Sequence, residues 1–304
     1  MIDMRESMTA KMCSFVRAYH SNHVREKIFD DYLAYDMMGK EEYEEVGRIM
    51  QEALGGSQKE EQEAFRGSLT YPLVDYHVSP IPLSRIAYAE SQLEKFAEAH
   101  GKCQYVICGA GMDTFAFRNP NPNIRIFELD HPDTQRYKLE RVQKLEWIIP
   151  QNVQYVPIDF SKDDMVQTLK NAGFDLSVPT YFAILGVTYY LTLPVFEETL
   201  KKIGALSIPG NKVVFDYPDE TTFQETAAER VRFLTQATEK FGEPMKQGLA
   251  LADIEAALGR HDFSVEMHLN PGKIQEIYFK NRADGQKAFE NIHFILASKE
   301  SPRI

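Results

Sequence analysis

Over the first 80 positions, apolar residues recur at helical spacing. In "MTAKMCSFVRAYHSNH" they fall three and four apart. The same period runs through "EEYEEVGRIMQEAL", where Gly55 and Gly56 supply the stop. "YPLVDYHVSPIPLS" is rich in proline and reads as a connector. It leads into "RIAYAESQLEKFAEAHG", a helix with Gly101 as its natural end.

Beyond Gly101 the period changes. "CQYVICG" and "NIRIFELD" read as strands, then "DTQRYKLERVQKLEW" as a helix and "NVQYVPIDF" as a third strand. "SKDDMVQTLKNAG" is a helix that Ser161 would cap. "PTYFAILG" (strand), "PVFEETLKKIGALS" (helix) and "NKVVFDY" (strand) continue the alternation. "TTFQETAAERVRFLTQATEKFG" and "LADIEAALGRH" are expected as helices, "DFSVEMHL" and "NIHFILASK" as strands. Short apolar strands alternating with helices predict an α/β fold with a Rossmann-like, mostly parallel, doubly wound sheet. Residues 1–80 are expected to form an N-terminal helical cap and residues 81–304 the main domain, together one structural unit.

Composition narrows the possible partners. The chain has 304 residues, 45 acidic against 34 basic, for a net charge of −11. An acidic surface repels a phosphate backbone, so nucleic acid is not an expected partner. Three cysteines, Cys13, Cys103 and Cys108, make neither a disulfide framework nor a zinc site, and no metal is expected. "MIDMRESMTAKMCSFVRAYH" lacks the apolar core of a signal peptide, and no window reaches the roughly 18 apolar residues of a membrane span. The expectation is a soluble, cytoplasmic protein with no membrane partner.

Chemistry concentrates after the first strand, in "YVICGAGMDTFAFR". Gly109, Ala110 and Gly111 stand where a strand turns under a ligand in such sheets. A dinucleotide fingerprint needs a third glycine, but that position is Thr114. No Gly-Lys-Ser/Thr follows for a P-loop. Asp113 stands where a phosphate would otherwise meet a helix N-terminus, and its charge would repel one. The turn therefore suits a nucleoside ligand without phosphate, such as S-adenosylmethionine, and disfavours an oxidoreductase. Asp130, about twenty residues on at the end of "IFELD", is suited to accept from both ribose hydroxyls. Glu128 would share its face. Asp159, closing "VPIDF", is suited to the adenine amine, with Phe160 flanking the ring. Capping of the following helix is the alternative role for Asp159.

"GAGMDT", "FELDHP", "VPIDF" and "LGVTYYLT", in that order and spacing, resemble the leucine carboxyl methyltransferase family, including its bacterial polyketide-type O-methyltransferase branch. The resemblance spans most of the chain and implies a class I S-adenosylmethionine-dependent methyltransferase. It assigns Arg85 in "PLSRIAY" to the methionyl carboxylate, Gly109 and Gly111 to the glycine turn, Asp130 to the ribose and Asp159 to the adenine. Two positions depart from the family pattern. Phe115 replaces a frequent arginine, with Arg118 retained, and Leu185 replaces the glutamate of Ala-Glu-Gly beside the cofactor's ammonium. Backbone carbonyls near Gly109 or Leu185 are the expected substitutes.

No residue announces itself as a catalytic base. Tyr189 and Tyr190 follow the fourth strand, Asp216 and Tyr217 the fifth, and His20 lies one helical turn from His23. Tyr190, Tyr217 and His20 are the candidates, against aromatic packing for the tyrosines and surface exposure for both histidines. The acceptor pocket is expected between the cap and the helices after Tyr217, with "FLTQATEKFGEPMKQG" closing one side. The implied reaction is O-methylation of a small molecule. Methylation of a peptide or protein C-terminal carboxylate and cofactor binding without catalysis are the alternatives.

Overall fold

A computed structural model describes residues 7–54 and 72–301. Gly55 and Gly56 lie outside these residues. Among the described residues five helices come first: α1 (Met8–His23), α2 (Ala34–Met38), α3 (Lys40–Leu54), α4 (Pro72–His77) and α5 (Pro80–His100). The proline-rich segment is thus mostly helical rather than a connector. Its prolines fall in first turns, where a missing N–H leaves no hydrogen bond unmade. Phe15, Tyr19, Met38, Val46, Met50, Val74 and Leu83 pack these helices into a core of their own.

The chain then alternates: β1 (Cys103–Cys108), α6 (Phe115–Arg118), β2 (Ile124–Asp130), α7 (Pro132–Lys144), β3 (Val153–Pro157), α8 (Met165–Asn171) and β4 (Thr180–Ile184). A 3₁₀ turn (Thr188–Tyr190) precedes α9 (Leu193–Ala205), β5 (Lys212–Pro218), α10 (Glu229–Lys240) and α11 (Leu251–Gly259). β6 (Phe263–Leu269), α12 (Pro271–Ile274) and β7 (Ile292–Lys299) end it. Two helices start later than expected. Asp159 takes the Ser161 N–H and hydroxyl into a turn, so Asp164 caps α8 instead, accepting from Val166 and Gln167. Asp219 likewise holds Thr221 in a turn, and α10 begins only at Glu229.

The seven strands are ordered β3-β2-β1-β4-β5-β7-β6. The first five are parallel; β7 runs antiparallel to both of its neighbours. β1 and β4 are buried along their whole length, while edge strands β3 and β6 alternate with solvent. Continuous apolar runs therefore mark the centre of the sheet. Alternate residues face different cores. Tyr105, Ile107, Tyr181 and Val214 meet α5, while Val106, Phe182, Phe215 and Tyr217 meet the layer of α8, α9 and α11. From β1 the chain moves outward to β2 and β3, then crosses back to β4. The carboxyl ends of β1 and β4 consequently diverge into a crevice, the usual ligand position in such sheets.

Candidate active site

That crevice holds a cavity of about 260 Å³. At its floor Gly109 turns with φ +80°, and its N–H and that of Ala110 both donate to the Leu129 carbonyl. A Cβ at Gly109 would come within 2.9 Å of Val187 Cγ2, so glycine keeps the crevice open as well as turning the chain. Asp130 ends β2 beside this turn and accepts from the Gly111 N–H (2.5 Å) and the His131 N–H (2.7 Å). Burial raises its pKa, against the pull of those two donors. Glu128 shares its face but lies deeper, 1% exposed and paired with Lys138 Nζ at 2.5 Å. Burial pushes Glu128 up to about 7 despite Lys138. Of these two acids, only Asp130 lines the cavity.

Thr114, where a dinucleotide turn would have glycine, anchors the cap. Its hydroxyl donates to Asp31 Oδ1 (2.5 Å) and accepts from Arg118 Nε (2.8 Å). Arg17 of α1 reaches Asp31 Oδ2 (2.5 Å) and the Met112 carbonyl (2.9 Å), and Arg118 pairs with Glu90 of α5 through both nitrogens. Asp31 and Thr114 are fully buried. This chain of charge-assisted bonds seats α1 over the glycine turn. Thr9, Cys13 and Arg17, four residues apart on one face of α1, thereby line the cavity.

On the opposite wall Arg85 of α5 donates from Nη1 to Asp216 Oδ2 at 3.2 Å. Burial opposes its charge, but the Asp216 carboxylate more than offsets this and holds its pKa above the ordinary arginine value. Asp216 also accepts from the Gly186 N–H (2.7 Å) and the Tyr189 hydroxyl (2.7 Å). Behind this wall opens a second, narrower cavity of about 70 Å³, walled mainly by apolar side chains including Met12, Ile81, Leu234, Phe241 and Met245. Thr9, Cys13, Pro82, Arg85, Gly186 and Tyr190 line both cavities. Residues 234–245 close one side of the second cavity. Its described titratable groups are Cys13, Arg85, Tyr189 and Tyr190. Burial raises Tyr189 well above its ordinary pKa and pushes Tyr190 up to about 12, so neither phenol is a base near neutrality.

Of the residues singled out from sequence, Arg85, Gly109, Ala110, Gly111, Asp130, Leu185 and Tyr190 line these cavities. Asp159 and Phe160 lie one strand further out and do not; the Asp159 carboxylate is engaged with Ser161 and Lys162. Tyr217 is a correction. Strand alternation turns it away from Asp216 into the opposite core, where it is 1% exposed and stacks on His293. His20 is another. It is fully buried in the cap, lines neither cavity, and its Nε2 accepts from the Ile28 N–H at 2.8 Å; His23 is exposed. Thr9, Cys13, Arg17 and Val187 were not anticipated. The first three recur at i, i+4, i+8 on α1, but Lys11, Ser14, His20 and Ser21 on the same helix are polar too, so the sequence did not single them out. Among the described residues, no cluster of three or more His, Cys, Asp or Glu suits a metal, and no helix is long and apolar enough to cross a membrane.

Residues 10–204 match the leucine carboxyl methyltransferase family. The chain is 34% identical over 300 residues to YktD of Bacillus subtilis (strain 168), a protein named for S-adenosyl-L-methionine-dependent methyltransferase activity. That match covers 97% of this chain and 98% of the relative. A structure from Thermobifida fusca YX, titled as a methyltransferase, superposes with TM-score 0.57 at 15% identity, covering 84% of this chain and 95% of that one. A DUF574 family protein of Streptomyces avermitilis MA-4680 gives TM-score 0.55 at 13% identity, covering 83% and 96%. The two structures share the fold; the family follows from the sequence matches. The chain belongs to the leucine carboxyl methyltransferase family, and with it to the S-adenosylmethionine-dependent methyltransferases.

Proposed function

We propose that the protein transfers the methyl group of S-adenosylmethionine to an oxygen of a small, largely apolar acceptor. The observation that carries this reading is the wall shared by two cavities, with a polar cradle on one side and an apolar slot on the other. The cradle fits the cofactor. Asp130 would accept from the ribose hydroxyls, Arg85 would hold the methionyl carboxylate, and the glycines at 109 and 111 admit close backbone approach. Asp159 and Phe160 flank the adenine end in this reading. The Lys162 partner of Asp159 is exposed, so exchanging that ion pair for an adenine amine costs little.

The sulfonium supplies a methyl group already activated for in-line displacement. The protein's part is alignment and exclusion of water, a contribution on the order of 7–11 kcal/mol. Thr9, Cys13 and Tyr190 border the point where the two ligands would meet. The described lining of the slot includes no carboxylate or imidazole, which favours an acceptor oxygen already ionised near neutrality, a carboxylate or an acidic phenol. The Arg85 guanidinium on the shared wall supports a second reading, methylation of a carboxylate at a peptide or protein end. The slot's small volume favours an acceptor whose reacting end is no larger than a single ring.

Calorimetry with S-adenosylmethionine, S-adenosylhomocysteine and NAD, on the protein and its Asp130→Ala variant, tests the cofactor half. The expected result is micromolar binding of both sulfur ligands, weakened at least tenfold in the variant, which is about 1.4 kcal/mol. Binding of NAD alone refutes the reading. A labelled-methyl assay against phenols, aromatic acids and carboxyl-terminal peptides then separates the acceptor classes. Cofactor binding with no transfer to any of them supports a protein that binds without catalysis.

A further inference from the structure

We propose that Asp216 is a positioning residue that aims Arg85 at the carboxylate of the methyl donor and couples that aim to the turn after β4. This rests on Arg85 being the carboxylate-binding group of the cofactor cavity. Asp216 is fully buried at the end of β5 and makes no contact with either cavity lumen. All of its effect must therefore pass through its partners. Its two oxygens are differently used. Oδ1 takes the Gly186 N–H at 2.7 Å, which fixes the backbone directly after Leu185. Oδ2 is shared between the Tyr189 hydroxyl at 2.7 Å and Arg85 Nη1 at 3.2 Å. The Thr188 hydroxyl donates to the carbonyl of Asp216, closing the clamp on the backbone as well.

Only one nitrogen of the Arg85 fork is bound to Asp216. Nη2 is directed away, and its partner is the Cys13 sulfur at 3.5 Å, a weak acceptor that an incoming carboxylate displaces easily. Gly186 leaves the space for that nitrogen: a Cβ there would fall 2.5 Å from Nη2. The carboxylate thus holds the guanidinium from behind while its free edge faces the cavity. A buried, single-point anchor of this kind preorganises a charge for a ligand without neutralising its donor capacity.

In Asp216→Asn one oxygen becomes an NH₂ group. With the carbonyl oxygen kept on the Gly186 N–H, the amide nitrogen faces Arg85 Nη1 donor to donor, and the guanidinium loses its anchor. The variant should therefore lose affinity selectively for ligands that carry the amino-acid carboxylate. Calorimetry with S-adenosylhomocysteine and with 5′-methylthioadenosine, which has the nucleoside but no carboxylate, reads this directly. The expected result is at least tenfold weaker binding of S-adenosylhomocysteine, with methylthioadenosine within about twofold of the unmodified protein. Tyr189→Phe, which removes one donor to Oδ2, tests the same clamp with a milder change and should weaken only S-adenosylhomocysteine, by a smaller factor. In an Arg85→Met background, Asp216→Asn should add no more than about twofold. Unchanged S-adenosylhomocysteine binding, or equal weakening of both ligands in both variants, overturns the proposal. Failure of the unmodified protein to bind either ligand instead overturns the cofactor assignment on which it rests.

Discussion

Replacing His20 by glutamine should remove a pH-dependent loss of stability. His20 is fully buried, with Nε2 accepting from the Ile28 N–H, so the neutral imidazole carries its proton on Nδ1. Burial, with Arg282 and Lys27 acting in the same direction against Asp284 and Asp30, lowers its pKa from 6.5 to about 4. A base whose folded pKa is depressed loses stability as pH falls. The unfolded chain takes up a proton near pH 6.5, while the folded chain resists until about pH 4. Between pH 7 and pH 5 this linkage removes about 2 kcal/mol of folding stability. Asp75, raised by burial to about 6, and Glu90 and Glu128, raised by burial to about 7, act with the opposite sign, because folding disfavours their ionised forms as pH rises. The raw pH profile therefore mixes opposing contributions. The difference between the protein and His20→Gln cancels those acids and isolates His20, since glutamine still offers an acceptor to Ile28. Urea denaturation of both proteins at pH 7 and pH 5 is the assay. The stability difference should shift by about 2 kcal/mol in favour of the variant at the lower pH. A difference constant within about 0.5 kcal/mol would refute the reasoning.

Two further outcomes follow from the cap and the slot. Asp31→Ala deprives buried Arg17 and Arg118 of a shared carboxylate and should destabilise the protein by about 3 kcal/mol in urea melts, with an unchanged denaturant slope. Phe241→Ala widens the slot behind the shared wall; it should shift the acceptor preference toward larger compounds in a competition assay while S-adenosylhomocysteine affinity stays within about twofold.

The sequence by itself determined the alternation of strands and helices and the glycine turn at the carboxyl end of β1. Strand–helix alternation is a local pattern, and Gly109, Gly111 and Asp130 are defined by their position at strand ends, which period and spacing report directly. It also excluded the phosphate-binding turns, because those need specific residues at fixed offsets. Tertiary structure alone decided the rest. Whether Tyr217 or Asp216 turns toward Arg85 and Gly186 depends on the register of β5 against β4 and β7, which a one-residue shift inverts. That Thr9, Cys13 and Arg17 reach the cavity depends on where α1 lies, and α1 is held by Asp31, Thr114 and Arg118 from distant parts of the chain. His20 illustrates the same limit. A polar side chain at a helical position is legible as a candidate, but its burial, and hence its charge, is set by segments that fold over it from Ile28 to Asp284. Local pattern specifies elements and their ends; which side chains meet at a site is a property of packing between them.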